Sequence, residues 1–321
     1  MAIKKATKFL VICIMAFGFA FSAQAAAFPE RTINMIIPFA PGGSSDVQGR
    51  LMEKYWNKHA PVKWNFIYKP GAGGMLGFTD IAKARPDGYT VGNINIPHMV
   101  IQARSGNANF KVEDFNLICL VVHDPGVIVV RKDSKYQTLD DLVKAARAEP
   151  NKLKAGLSGP LSANHLLHID LATNHNLPIT PIFYPGGAGV VSSLLGGETD
   201  CAMTNVSEQF SRMPDEARIL AVASTERSAL LPDVPTMKEL GYDVTSGETR
   251  RGYAAPMGMA PERIKWLRDM FDKVGSDPEY KKEMLELFFP EKYLNAVESH
   301  KVITEQKEYI DTVYHLMETK K

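Results

Sequence analysis

Cysteine is scarce, with three in 321 residues, and Cys13 falls inside an N-terminal apolar run. A disulfide-stapled scaffold is thereby excluded, and no Cys pair stands at metal-ligand spacing. Cys119 and Cys201 both sit in apolar contexts, so they either pair in an oxidising compartment or lie as buried thiols, and the sequence leaves both open. Charge of one sign is lacking too. The 37 Lys and Arg nearly cancel the 36 Asp and Glu, which points to neither nucleic acid nor an anionic membrane surface as partner. Beyond the N-terminus no apolar run approaches membrane-spanning length, and no fixed-period repeat is found. Also missing are a G-x-S-x-G elbow, an H-E-x-x-H pair and a G-x-x-x-x-G-K-[ST] loop, which removes the usual footholds for hydrolysis, zinc and nucleotides. His165 and His168 lie three apart on an expected helix, but one falls in a loop and one in an apolar stretch, so no metal or cofactor is expected.

What is present begins with a leader. Lys4, Lys5 and Lys8 precede a continuous apolar stretch from Phe9 to Phe21, followed by Ala23-Gln24-Ala25. A positive start, a short apolar core and small residues at the end are the marks of a signal peptide spanning residues 1–25. Export to the periplasm with cleavage near Ala25 or Ala27 is the expectation. Of the 37 basic residues, losing Lys4, Lys5 and Lys8 leaves 34 against 36 acidic ones. The remainder is long enough for two ordinary domains.

The chain is organised around Thr32 to Trp56. Ile33, Met35, Ile36 and Ile37 read as a buried strand, Pro41-Gly42-Gly43 ends it, and Val47, Leu51, Tyr55 and Trp56 recur at helical spacing. Ser45 with Gln48 makes a capping-box pattern, so the helix is expected to start at Ser45, with uncommitted N–H groups around Gly43, Ser44 and Asp46. Such a start attracts anions; alternatively Ser45 and solvent satisfy those donors and the loop is a plain connection.

More strand-to-helix units follow. Lys63 to Tyr68 reads as a strand running into Pro70-Gly71-Ala72-Gly73-Gly74, with a helix over Leu76 to Ala84 and another strand over Tyr89 to Ile94. Two apolar runs between Phe115 and Val130 are split at His123-Asp124-Pro125-Gly126, a break that suits a chain crossing between lobes. Thr138-x-x-Asp141 opens a helix. Two further glycine-rich strand exits come at Ser158 to His165 and at Tyr184-Pro185-Gly186-Gly187. Alternating β and α with glycine at strand exits predicts α/β lobes with mainly parallel sheets and helices on both faces, binding ligand beyond the carboxyl ends of the strands. Pro261 to Lys321 reads as helices, through Ile264, Leu267, Met270, Phe271 and Val274, then Val302, Ile303, Tyr309, Ile310 and Val313.

Phe28-Pro29-Glu30-Arg31 and Ile37 to Asp46 resemble the opening signature of the tripartite tricarboxylate transporter substrate-binding proteins, the TctC or Bug family. The resemblance continues through Arg85-Pro86-Asp87-Gly88-Tyr89-Thr90, the Ser158 to His165 loop, Leu194-Leu195-Gly196-Gly197-x-x-Asp200, Leu231 to Thr236 and Ala255-Pro256-x-Gly258, in order over the whole mature chain. It implies a two-lobed periplasmic binding protein of type II, a Venus flytrap, that captures a small di-/tricarboxylate or aromatic acid and hands it to membrane permease subunits. In that family the first loop, here Phe39, Pro41, Gly42, Gly43, Ser44, Ser45 and Asp46, and the loop carrying Ser158, Ser162, Ala163 and His165 hold a carboxylate, partly through water. Tyr184 and Gly186 of the third exit and Thr204 and Asn205 complete the expected site. Thr204 stands where many members have Asp, which disfavours an amino-acid ligand.

Arg250 and Arg251 replace a frequent aromatic pair. If either arginine faces the cleft, with Arg251 the one taken as a site residue, its fork is placed to clamp a second carboxylate; a solvated pair at a strand edge is the alternative. The expected lobes are residues 26–124 with 249–321, and residues 125–248, hinged near His123 to Gly126 and Val244 to Arg251. A monomeric, non-enzymatic receptor follows, with a ligand-loaded adaptor for a sensor kinase or an exported hydrolase using a loop serine as the competing readings.

Overall fold

The computed structural model describes residues 28–208, 215–244 and 246–318. The leader and its cleavage site lie outside them, and the architecture below is that of the body from Arg31 onward. The strands are β1 (Ile33–Ile37), β2 (Trp64–Tyr68), β3 (Thr90–Ile96), β4 (Phe115–Asp124), β5 (Gly126–Arg131), β6 (Lys154–Leu157), β7 (Thr180–Phe183), β8 (Cys201–Asn205), β9 (Ala217–Ala223), β10 (Thr249–Pro256) and β11 (Glu291–Leu294). Helices α1 (Ser44–Trp56), α2 (Met75–Ala82), α3 (His98–Arg104), α4 (Leu139–Ala148), α5 (Ala163–Asn174), α6 (Gly187–Leu195), α7 (Pro261–Gly275), α8 (Pro278–Glu286), α9 (Ala296–Val313) and α10 (His315–Glu318) connect and cover them.

Two sheets result, a six-stranded one in the order β11-β4-β10-β3-β1-β2 and a five-stranded one in the order β7-β6-β8-β5-β9. This is the two-lobed α/β architecture the glycine-punctuated units imply. The sheets are mixed, however, rather than mainly parallel. β1 pairs in parallel with β2 and β3, as β6 does with β7 and β8, because helical crossovers join those strands. The segments that pass between sheets enter the other way, so β10 runs antiparallel to β3 and β4, and β5 antiparallel to β8 and β9.

The break at Pro125 is one crossing. β4 ends at Asp124 in the first sheet and β5 starts at Gly126 in the second. The return runs through Gly247 and Glu248 into β10. The two crossings touch, since a Cβ on Gly126 would stand 2.9 Å from the Gly247 carbonyl oxygen. His123 Nε2 and Glu248 Oε2, one on each crossing, are 2.6 Å apart.

Under the first sheet Trp56, Trp64, Tyr253 and Phe271 form an aromatic cluster, with Tyr253 and Phe271 ring centroids 4.6 Å apart. Leu51, Tyr55 and Trp56 are buried there, which is why their helical spacing was visible in the chain. In the second sheet Leu139, Leu142 and Ala146 face the core, and the Thr138–Asp141 capping box is formed in both directions.

The C-terminal segment is helical with one exception. Four residues, Glu291–Leu294, make edge strand β11 against β4, where the reading had only helices. Cys119 on β4 and Cys201 on β8 belong to different sheets and are both free, buried thiols; burial pushes Cys201 up to about 12 and Cys119 upward as well.

Candidate ligand-binding cleft

The carboxyl ends of β1, β3, β6 and β8 converge where the two sheets face each other, with Ala40 N–H donating to the Pro185 carbonyl at 3.4 Å across the gap. A small cavity there, about 20 Å³ to water-sized spheres, is lined from the first sheet's side by Phe39, Gly43, Ser44, Ser45, Asn95, His98, Thr249 and Arg251. Ser158, Gly187, Asn205 and Glu208 close it from the other. Of the residues singled out in the sequence, Phe39, Gly43, Ser44, Ser45, Ser158, Asn205 and Arg251 are thus brought together.

The first loop departs from expectation in its details. Helix α1 starts at Ser44, not Ser45, with Gly43 as N-cap and no side-chain cap. Gln48 does not reach back to cap because it is buried in the core, donating to the Tyr253 hydroxyl at 2.7 Å and accepting from Asn93 Nδ2 at 3.0 Å. Asp46 N–H is not free either, since it donates to the Gly43 carbonyl at 3.0 Å. The Asp46 carboxylate accepts from Gly42 N–H and from the Tyr68 hydroxyl, both at 2.8 Å, and pairs with Arg50 at 2.9 Å. It holds the loop rather than facing the cavity.

Other expected residues also serve the frame. Ser162 caps α5, accepting from His165 N–H at 3.1 Å and donating to the Gly159 carbonyl at 2.8 Å. His165 Nδ1 accepts from Leu161 N–H at 3.2 Å, and its ring lies 6.4 Å from that of His168. Among the described residues no group of three His, Cys, Asp or Glu is placed to hold a metal. Tyr184 directs its hydroxyl to Glu198 at 3.2 Å. Pro41, Gly42, Ala163, Gly186 and Thr204 lie outside the cavity lining, although Gly186 packs on Phe39, where a Cβ would come within 3.4 Å.

Asn205 ties the crossings together. Its Nδ2 donates to the carbonyls of Asp124 at 3.0 Å and Gly247 at 3.1 Å, and its Oδ1 accepts from Thr249 Oγ1 at 3.2 Å.

Arg251 borders the cavity, but not as a solvated residue at a sheet edge, because β10 is an interior strand and the side chain is 2% exposed. Its Nη1 meets Asp124 Oδ2 at 2.5 Å and its Nη2 lies 3.7 Å from Glu208 Oε1. The fork is therefore already engaged by two protein carboxylates. Ser207 supports the same Asp124 through its N–H at 3.2 Å and its hydroxyl at 2.5 Å.

Glu208, Asn95, His98 and Thr249 were not singled out in the sequence as site residues, and Gly187 only as part of a glycine-rich strand exit. Glu208 accepts from the Ser44 N–H at 3.3 Å and from the Ser44 hydroxyl, so a carboxylate sits at the start of α1. Burial raises its carboxyl above the ordinary range, against the opposing pull of Arg251 and Ser44. Burial, aided by the Arg251 charge, lowers His98 to about 3, which keeps its imidazole neutral. Asn95 Oδ1, His98 Nδ1 and Arg251 Nε are buried with no hydrogen-bond partner among the described residues. The rule that ligands sit beyond parallel strand ends covers these residues too, since Asn95 and His98 stand at the exit of β3 and Glu208 just past β8.

A family profile described as "Tripartite tricarboxylate transporter family receptor" matches residues 66–316. Protein BugT of Bordetella pertussis is 32% identical over 260 residues, 80% of this chain and 80% of that protein. The solved periplasmic binding protein BugD superposes with a TM-score of 0.80 at 26% identity, over 89% of this chain and 98% of that one. Two more distant structures, each at 21% identity, share the fold. MatC of Rhodopseudomonas palustris, solved with malate, has a TM-score of 0.82 over 89% of this chain and all of its own, and an R. palustris protein solved with adipate has 0.84 over 90% and 98%. Two facing sheets, a cleft at their strand ends and a match across most of the length agree: the chain belongs to the tripartite tricarboxylate transporter receptor family, the TctC or Bug proteins.

Proposed function

We propose that this chain is a periplasmic receptor that captures a small carboxylate between its lobes and delivers it to the membrane permease of a tripartite tricarboxylate transporter. One observation carries the reading: the Ser44 N–H and hydroxyl, at the start of a 13-residue helix, are directed at a carboxylate in a buried cleft. The N–H groups of a helix start stabilise negative charge, here that of Glu208, and a short hydroxyl beside them adds a second donor. Malate and adipate, seen in two structures of the same fold, are the compounds to try first. Phe39, Gly43, Ser44, Ser45 and Ser158 are the proposed ligand contacts among the residues read from the sequence, with Asn95, His98 and Thr249 added by their place in the lining. Residues 26–124 with 249–321 form one lobe in this reading and residues 125–248 the other. The protein acts as a monomeric binder without catalysis, exported by cleavage of its leader.

Thermal unfolding of the leader-free protein against malate, adipate, citrate, benzoate, amino acids and neutral sugars tests this. A ligand at about a hundred times its Kd adds about 2.7 kcal/mol, a shift of several degrees for a chain of this size. A shift confined to acids is expected. If no acid shifts the transition, and denaturing the purified protein releases no small acid, the reading fails.

A further inference from the structure

Glu208 stands where a ligand's carboxylate belongs. Its two oxygens take the Ser44 N–H and hydroxyl, one of them lies 3.7 Å from Arg251, and its carboxyl carbon presses on the first residue of α6. A Cβ on Gly187 would stand 2.1 Å from that carbon, so only glycine leaves room for it. The carboxylate at the start of the 13-residue helix α1 is thus bonded to Ser44 and packed against the first residue of α6, across the cleft, and it is the protein's own.

The remaining space decides what this means. With Glu208 in place the cavity is about 20 Å³, enough for a water and for no organic acid. Yet the same walls carry unpartnered polar atoms on Asn95, His98 and Arg251, all nine-tenths or more buried. Such atoms are costly to leave unpaired, and they mark a surface shaped to meet another molecule's hydrogen-bonding groups. Among the described residues the charged neighbours of Glu208 are Arg251 on β10 and Asp124 on β4; His98 on α3 is neutral, and α1 presents Ser44. Arg251 is neutralised by Asp124, so a second carboxylate added beside Glu208 would meet unbalanced negative charge. One carboxylate replacing another keeps the balance.

We propose that Glu208 is an internal stand-in ligand, that an incoming acid binds by displacing its carboxylate from the start of α1, and that this exchange sets which acids the cleft admits. This rests on the reading of the cleft as a carboxylate site. An acid must therefore offer more than a bare carboxylate, since that alone only repeats what Glu208 supplies. The body of the ligand has to earn the difference by pairing with Asn95, His98 and Arg251 Nε.

Chemical complementation tests the exchange without knowing the natural ligand. Acetate is the probe, at about 100 mM, with chloride at equal ionic strength as control. Glu208→Ala removes the resident carboxylate, so acetate should raise its melting temperature by roughly 2–4 °C, the effect of a ligand at several times its Kd, and leave the wild type unmoved. If the alanine variant does not fold, Glu208→Gln keeps the shape with a weaker acceptor, and acetate should stabilise it more than the wild type. Equal responses of wild type and variant would overturn the proposal. Failure of the acid panel on the wild type is a separate result, because it bears on the receptor reading while the acetate comparison bears on Glu208.

Discussion

Asp124 and Arg251, 127 positions apart in the chain, meet at 2.5 Å with side chains 0% and 2% exposed, where the two crossings leave the first sheet. Removing one member of a buried pair strands the other charge. Asp124→Ala should therefore cost about 3–5 kcal/mol in urea unfolding. Asp124→Leu combined with Arg251→Met should recover much of that loss, because a buried pair is often replaceable by apolar residues of similar volume. A single variant within 1 kcal/mol of wild type, on the order of a surface change, would mean the pair is not buried as described.

His98 gives the protein a pH dependence of definite sign. In the unfolded chain it takes up a proton near its ordinary 6.5, whereas in the fold burial and then Arg251 hold it down to about 3. Between those values the unfolded state binds more protons, so the contribution is complete above 6.5 and is lost as pH falls, at about 1.4 kcal/mol per pH unit. Unfolding free energies at pH 7 and pH 5 should show a wild-type loss about 2 kcal/mol larger than that of His98→Gln. Parallel losses in the two proteins would show that His98 titrates normally.

Gly73 lies on the loop after β2, and a Cβ there would stand 2.3 Å from the Pro160 carbonyl oxygen on the facing loop. Its φ of +64° also favours glycine. Gly73→Ala wedges a methyl group into the seam between the sheets. A larger radius of gyration by small-angle X-ray scattering is expected, along with about tenfold weaker binding of whichever acid stabilises the wild type, or about 1.4 kcal/mol. An unchanged radius would show that the loops slide past the methyl without opening.

Legibility followed the range of the forces involved. Helix spacing at Leu51, Tyr55 and Trp56, the cap at Thr138 and the chain break at Pro125 are local signals, and each names its element within a residue or two. The start of α1 was misplaced by one residue because Gln48, a capping residue by spacing, is drawn into the core by Tyr253, 205 positions away. β11 is four residues at a sheet edge, too short to outweigh the helical pattern around it. Ser44 was readable as a donor, but its partner Glu208 lies 164 positions on, and nothing along the chain reports that distance. Mixed strand direction escaped for a related reason: β5 and β10 are oriented by the crossings they continue, not by their own residues.

The bare backbone contact between Gly126 and Gly247 has one more consequence. With no side chain between them, the two crossings lie backbone against backbone, so a lobe that turned here would turn about one line rather than two. Opening at the cleft mouth would then be rotation at its far end, and the spacing of the outer rims would be a gauge, legible from outside, of whether the interior is filled.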